Sequence, residues 1–366
     1  GLGDVYKRQI YKSRVALYEA TWSKYHEGTA FASGVDANKY FKKVIEAYDQ
    51  FKQLCGGFEG KLYSTGNPDI DYYNLFNRFD YADIEEVTLT KKYSKALGVP
   101  NNVNVQVWSY GYYNCSYSLD LINSYLSKDG QSIDITDRSL FPQKGTKFLS
   151  ELDKKLDPRF GQSVFIPGDL LNTVTAGFID SLFTLPQIHM SEAARNTTTG
   201  FSPKKGHNPD GPLDNQTDPL VSGIGFRIPE LMLNYVEAYV ELNGNFPDLS
   251  DNIDLLRKRV GMPTLTEVKP VVESWWPDYG YPISDNLAIV RQERRVELAG
   301  EGYRQNDWKR WRAHKLFDGK RHKGFLYDPK EYQAAGYNPN ILLDEAGYID
   351  PYQVCLLYTS PSPRDA

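Results

Sequence analysis

Apolar residues recur every three or four positions in several separate stretches of the chain, which is the spacing of amphipathic helices. The first two stretches are Ser13–Tyr25 and Ala37–Leu54, and Asp36 precedes the second as a helix N-cap residue would. Val44 and Phe51 belong to one apolar face of the second stretch. Two helices joined by a short loop predict a hairpin of the tetratricopeptide type.

Two further pairs of helices are predicted later in the chain. Phe226–Leu242 has an apolar face, and Ser250 is expected to cap a following helix over Asp251–Val260. The third pair lies in Arg291–Trp311, and its first helix is expected to end near one of the two glycines at 300 and 302. These patterns predict a mostly α fold.

The segments between the hairpins follow no regular repeat, so they are predicted to be long loops and short strands laid over a helical scaffold. Gly56–Asp71 is rich in Gly, Pro and Asn, and Val99–Ser118 alternates weakly as a strand would. Asn196–Pro219 is polar and rich in proline, and it is expected to be the most mobile loop.

The stretch Arg291–Trp311 combines a sparse apolar stripe with a high density of charge. Its glutamates recur every four residues, so on a helix they would repel one another unless arginines lie between them. Arginines of this helix or the next are expected to supply the compensating charge. The predicted ion network consists of Arg291, Glu293, Arg294, Arg295, Glu297, Glu301, Arg304 and Arg310.

Four blocks of the sequence, in order, resemble one known family. The pattern R-x-E-R-R-x-E-L-A-x-E-G-x-R-x-x-D-x-x-R-W of Arg291–Trp311 resembles the C-terminal signature of the SusD/RagB-type glycan-binding outer-membrane lipoproteins of Bacteroidetes. Phe226–Gly244 resembles a helix of that family, Leu156–Phe160 its D-P-R turn, and Ser13–His26 a helix nearer its start. Gly300 departs from the pattern, because the family usually has an aromatic or other large residue before E-G.

This resemblance implies a SusD-like superhelix of tetratricopeptide-like helical hairpins with long loops and short strands. It implies non-catalytic binding of oligosaccharide, a nutrient-uptake role at the surface of the outer membrane, and delivery to a SusC-like TonB-dependent transporter. The membrane would be contacted only through a lipid anchor that this sequence does not contain. No cofactor is implied.

The two ends of the sequence are related at the level of their codons. Asp4–Gln9 can be encoded by DNA whose reverse complement, shifted by one base, encodes Cys355–Ser360. Such an inverted repeat is typical of a sequencing adapter translated together with its insert. Residues 1–9 and 355–366 are therefore expected to be adapter-derived, and residues 10–354 are expected to be a single domain truncated at both ends.

Charge and residue spacing argue against several classes of function. The formal net charge of −5 argues against nucleic-acid binding, which needs a basic face. The five histidines show no spacing typical of a metal site, and no phosphate-binding glycine loop is present. Cys55 and Cys115 are far apart and lack the neighbours that zinc or redox chemistry needs. No catalytic residue and no metal ligand is predicted.

Aromatic residues make up 14% of the chain, and two clusters of them lie in predicted loops. The C–H faces of a sugar ring are apolar and its rim is hydroxylated, so aromatic planes flanked by polar groups suit glycan binding. Fixing loops onto helices is an equally good interpretation of any one of these residues. The candidate ligand-binding residues are Trp108, Tyr110, Tyr112, Tyr113, Trp275, Trp276, Tyr279 and Tyr281.

Two alternatives to glycan capture remain open. A glycoside hydrolase needs two carboxyl groups about 5–10 Å apart, which glutamates at helical i, i+4 spacing provide. Arginines within a turn of each glutamate would, however, lower the pKa that a general acid needs raised. The other alternative is a peptide-binding or purely structural helical-repeat adaptor.

Overall fold

A computed structural model of the protein describes residues 2–101, 115–173, 182–188, 196–210 and 221–353. Within these ranges the chain is mainly helical, as the sequence predicts. The helices are α1 (Leu2–Tyr25), α2 (Ala37–Cys55), α3 (Asp71–Phe76), α4 (Leu119–Ile122), α5 (Gly145–Lys155), α6 (Arg159–Ser163), α7 (Ile228–Asn243), α8 (Ile253–Arg259), α9 (Asp285–Glu297), α10 (Arg304–Arg310) and α11 (Pro329–Ala334). Two strands, β1 (Val87–Lys91) and β2 (Gly223–Arg227), and two 3-10 helices, Lys95–Leu97 and His314–Leu316, lie between them.

The first hairpin is formed by α1 and α2, which pack against each other. The side chain of Asp36 accepts a hydrogen bond from the backbone N–H of Asn38 at 3.0 Å, so the predicted cap of α2 is confirmed. Val44 and Phe51 are buried, as an amphipathic α2 requires. Because α1 begins at Leu2, it includes residues that the sequence predicts to be adapter-derived, and their origin stays a prediction.

The second pair consists of α7 and α8, and one of its caps differs from the prediction. Asn252, not Ser250, caps α8, because the Asn252 side chain accepts the backbone N–H of Ile253 at 2.8 Å. Ser250 belongs instead to a turn in which its own N–H is bonded to the carboxylate of Asp248 at 3.0 Å. The helix therefore begins two residues later than the sequence predicts.

Two apolar cores meet at α9. The first packs α1, α2, α7 and α8 together, and the side chains of α7 are buried on nearly every face, as expected for a central helix. The second packs α4, α5 and α6 against the segment 325–349. Because α9 contributes Ile289 and Val290 to the first core and Val296 to the second, it lies between the two.

The strands β1 and β2 pair antiparallel, with Val87 opposite Arg227 and an irregular register beyond that pair. Since β2 runs directly into α7, Arg227 lies at the junction of strand and helix. Among the described residues no helix combines the length and apolar character that crossing a bilayer requires.

The polar segment Asn196–Pro219 was expected to be the most mobile loop, and for residues 196–210 this prediction is wrong. Phe201 and His207 are fully buried there. The two ring nitrogens of His207 lie 3.0 Å from the Tyr73 hydroxyl and 2.8 Å from the backbone carbonyl of Leu171. Phe201 therefore fixes the segment onto the second core, and the hydrogen bonds of His207 connect it to α3 and to residue 171. Residues 102–114 of the weakly alternating segment, and 211–220 of this loop, lie outside the described residues.

Candidate functional site

A network of buried ion pairs lies where α9 meets β2, α6 and α8. Among the described residues, it joins five acidic and five basic side chains and is therefore balanced in formal charge. Its members are Glu86, Asp157, Glu293, Glu297, Glu301, Arg159, Lys205, Arg227, Arg257 and Arg259.

Glu297 is the centre of this network and is fully buried. One carboxylate oxygen accepts from Arg227 at 2.7 Å and from Arg259 at 2.6 Å, and the other accepts from Arg159 at 3.0 Å. Burial alone would raise the pKa of Glu297, but the three guanidinium groups outweigh it and hold the pKa well below its usual range. The carboxylate is thus kept ionised in the protein interior.

The arginines that compensate these glutamates do not come from α9 or α10, which corrects the prediction from sequence. They come from the D-P-R turn (Arg159), from β2 (Arg227) and from α8 (Arg257 and Arg259). Glutamates four residues apart share one face of α9, and that face is turned towards these elements and away from the helix's own arginines.

A second cluster fixes α10 to α7 and α9. Asp307 accepts from Arg294 at 3.0 Å and from Arg310 at 2.9 Å. Glu237 on α7 accepts from both terminal nitrogens of Arg310, at 2.5 and 2.7 Å, and from the indole N–H of Trp311 at 2.6 Å. Because both carboxylates are buried, these contacts determine where α10 lies.

Three arginines assigned to the predicted network lie outside both clusters. Arg291 is surrounded by three aromatic rings, with its guanidinium carbon 4.4 to 5.0 Å from their centroids. Arg295 pairs with the exposed Asp120. Within the described chain, Arg304 has no carboxylate at salt-bridge distance, so its assignment to the ion network is wrong.

The start of α10 borders a cleft of about 610 Å³, here called the α10 cleft. Its walls come from the end of α9, the turn into α10, the start of α4, and residues near 198, 322 and 352. The aromatic lining residues are Tyr117, Tyr303, Trp308 and Tyr352, and the uncharged polar ones include Ser116, Ser118, Thr198, Thr199 and Gln305. Aromatic side chains and hydroxyl and amide groups therefore both contribute to the walls.

Gly300 forms part of the wall of the α10 cleft, and its lack of a side chain has a structural reason. Its φ of 76° lies in the left-handed region. A Cβ atom there would overlap the hydroxyl group of Tyr117. At this position, where the family pattern has a large residue, the hydroxyl end of the Tyr117 side chain lies against the glycine.

The first predicted aromatic cluster, with Trp108, Tyr110, Tyr112 and Tyr113, lies outside the described residues. The chain re-enters the described part at residue 115, directly before the wall of the α10 cleft formed by residues 116–118. The ligand-binding role of this cluster stays a prediction.

The second predicted cluster is mostly covered by the protein itself. Trp276 and Tyr279 are only 8% and 5% exposed, and Tyr281 donates a hydrogen bond to the backbone carbonyl of Trp311. The cavity beside the two tryptophans measures about 20 Å³, which is room for one water molecule and not for a sugar ring. The half-buried Trp275 is the tryptophan of this cluster that a ligand can still meet.

Three of the four aromatic residues of the α10 cleft belong to neither predicted aromatic cluster, and the fourth, Tyr117, directly follows the first cluster in sequence. Tyr303 and Trp308 belong to the charged stretch from which the ion network was predicted, and their position on either side of Arg304 is the local signal that marks them. Tyr352 is 45% exposed and comes from the end of the described chain. No local pattern marks it, because its neighbours in the cleft are distant in sequence.

Solved structures with the same fold include two from Bacteroides fragilis NCTC 9343. One is a SusD-like carbohydrate-binding protein with 20% identity and a TM-score of 0.58, covering 86% of this chain and 58% of its own. The other is a SusD-like protein with 18% identity and a TM-score of 0.59, covering 93% of this chain and 57% of its own. A third, a crystal structure with xylogluco-oligosaccharide, has 14% identity and a TM-score of 0.52, covering 98% of this chain and 62% of its own.

This chain thus spans 57% to 62% of the length of those three structures. No curated protein matches it in sequence. The model of the SusD family matches residues 78–354, which is well over half of the chain and includes β1, β2 and the helices from α4 to α11. The chain therefore belongs to the SusD family.

Proposed function

We propose that this protein captures oligosaccharides in the α10 cleft without cleaving them and passes them to a SusC-like TonB-dependent transporter. The observation that carries the proposal is an aromatic-lined cleft with a polar rim in a chain of the SusD family. Its volume of about 610 Å³ falls within the range of small-molecule sites in proteins. The xylogluco-oligosaccharide in a structure of the same fold supports oligosaccharide as the class of ligand.

The chemistry of the cleft walls suits sugar rings. Tyr352 offers an exposed flat face for the C–H surface of a pyranose, while the hydroxyl group of Ser118 and the amide of Gln305 offer polar partners for its rim. Stacking and hydrogen bonding of this kind hold a ligand without any change in its covalent bonds.

The buried glutamates do not suit acid–base catalysis. A glycoside hydrolase needs one carboxyl group with a raised pKa, so that it is protonated when it meets the substrate. The pKa values of Glu293, Glu297 and Glu301 are all lowered, because the surrounding basic side chains outweigh the effect of burial. The two carboxylates of the α10 cleft, Asp120 and Asp307, likewise have lowered pKa values beside their arginine partners. This supports binding over hydrolysis.

The transporter partner and the location at the outer-membrane surface rest on family membership. The protein would be held there by a lipid anchor, with its helical hairpins available to pack against the transporter. Coexpression with the transporter of the same source and isolation of the membrane complex tests this part. Recovery of the two proteins in separate fractions would contradict it.

Calorimetric titration with soluble plant, host and microbial oligosaccharides tests the binding step, and each mixture is afterwards assayed for cleavage. Tyr352→Ala is expected to weaken binding about threefold to tenfold, since it removes one aromatic face of the cleft. Tyr337→Ala is the matched control, because Tyr337 is similarly exposed but lies outside the cleft. Trp108→Ala and Trp275→Ala test the two predicted clusters. Cleavage of any bound glycan, or no binding across the panel, would refute the proposal.

A further inference from the structure

Two neighbouring side chains of the α10 cleft carry hydrogen-bond donors that have no acceptor among the described residues. They are Nε and Nη1 of Arg304 and Nε1 of Trp308, and all three atoms are enclosed. The two residues are four positions apart on α10, so their side chains share one face of the helix. Enclosed donors are nearly always paired in proteins, so three unpaired donors in one place call for an acceptor.

The guanidinium group of Arg304 is held in position by aromatic rings and not by a counter-charge. Its central carbon lies 5.6 Å from the ring centroids of both Trp308 and Trp311. Burial, reinforced by the nearby charge of Arg295, lowers the pKa of Arg304 to about 10. The group is therefore still charged near pH 7, and it has lost hydration without gaining an ionic partner.

The other charges that line the cleft are already compensated. Arg294 pairs with Asp307 at 3.0 Å, and Arg295 pairs with Asp120. With His322 neutral, the lining residues of the cleft have a net charge of +1, and that charge belongs to Arg304. Arg304 as a whole is half-buried and lines the cleft, so a ligand in the cleft can contact the part of its side chain that remains exposed.

We infer that the α10 cleft selects oligosaccharides that carry a carboxylate, such as a uronic or sialic acid unit, with the carboxylate on the guanidinium group of Arg304. This inference rests on the proposed function and names the substrate class of that cleft. A planar guanidinium matches the two oxygens of a carboxylate, and charge-assisted hydrogen bonds are stronger than neutral ones. The aromatic walls then receive the C–H faces of the same sugar or its neighbour.

The test compares matched acidic and neutral glycans by calorimetry on this chain. Tetragalacturonate is paired with its methyl ester, and sialyllactose is paired with lactose, so that the two sources of a sugar carboxylate are separated. At least one acidic member is expected to bind about tenfold more tightly than its neutral partner, which corresponds to about 1.4 kcal/mol. Because the contact is ionic and partly open to solvent, this ratio is expected to fall as the salt concentration rises.

Arg304→Gln is expected to reduce the ratio of acidic to neutral affinity to about one while leaving the neutral glycan bound. Arg312→Gln is the matched control, since it removes an equal charge from an exposed arginine outside the cleft lining and is expected to keep the ratio. Arg304→Lys keeps the charge but not the planar fork, and it is expected to retain part of the preference. If Arg304→Gln does not fold, Arg304→Lys and the salt dependence of the unmodified chain test whether Arg304 contacts the carboxylate.

Three outcomes would overturn the inference. Equal or weaker binding of both acidic glycans, or a preference that survives in Arg304→Gln, would refute the carboxylate contact while leaving oligosaccharide capture intact. Binding of neither member of either pair, together with no binding across the wider panel, would refute both the contact and the proposed function.

Discussion

Replacing Glu297 by Gln removes the central negative charge of the ion network and leaves its shape nearly unchanged. Three guanidinium groups lie within 3.0 Å of this carboxylate, and the side chain is fully buried. The substitution changes a balanced set of ten charges into one with a net charge of +1. Removing one partner of a buried ion pair costs about 3–5 kcal/mol, because the remaining charges stay desolvated.

Urea unfolding followed by tryptophan fluorescence and circular dichroism measures this cost. With a slope of about 3 kcal/mol per molar urea, a loss of about 4 kcal/mol lowers the midpoint by about 1 M. Glu46→Gln is the matched control, because Glu46 on α2 is exposed and its partner Lys12 lies 3.4 Å away. An exposed pair contributes below about 1 kcal/mol, so its midpoint is expected to move far less.

A double substitution checks the cause of the loss. Glu297→Gln combined with Arg259→Gln restores the charge balance, so the two changes together are expected to cost less than the sum of the single changes. Strict additivity would mean that charge balance is not what stabilises the network. A Glu297→Gln variant as stable as the unmodified chain would refute the structural role, and loss of glycan cleavage in such a variant would establish Glu297 as catalytic.

Three further predictions concern stability. The folded pKa values of Glu301 and Asp307 are lowered, so the stability that these carboxylates contribute is present above their unfolded pKa of about 4 and is lost as the pH falls below it. Urea unfolding midpoints measured at pH 7, 5 and 3.5 are therefore expected to drop steeply only between pH 5 and 3.5. A flat profile would contradict this. Asp36→Ala removes the cap of α2 and is expected to cost about 1 kcal/mol in urea unfolding, whereas no loss would show that the cap is not formed. Gly300→Ala forces a left-handed backbone on alanine and displaces Tyr117, so it is expected to lower both the urea midpoint and glycan affinity. An unchanged affinity would show that Tyr117 does not shape the site.

The helical scaffold could be predicted because each helix carries its own signal. The 3.6-residue period and the cap at Asp36 lie within a few residues of the elements that they define. The prediction that Ser250 caps α8 is wrong because two possible capping residues, Ser250 and Asn252, lie close together. The turn around Asp248, which uses the N–H of Ser250, leaves Asn252 as the cap. Local patterns therefore predict that a helix exists better than they predict where it begins.

The partners of the glutamates could not be predicted from local spacing. Glu297 lies 138 residues from Arg159 in sequence and 70 residues from Arg227, so no helical or strand period connects them. The α10 cleft presents the same difficulty, because its walls come from segments spread between residues 116 and 352. The sequence does predict that the negative charges need positive partners, since glutamates four residues apart on one helix repel one another unless cations lie nearby.

The two charge clusters together explain how a lone cation is kept in the cleft. The turn that carries Arg304 is held at one end by Glu301, which belongs to the balanced network, and at the other end by Asp307, which is fixed by Arg294 and Arg310. A charge-balanced scaffold therefore holds one unbalanced guanidinium in the wall of the cleft, and positioning of this kind favours a charged ligand because the guanidinium is already largely desolvated before the ligand binds.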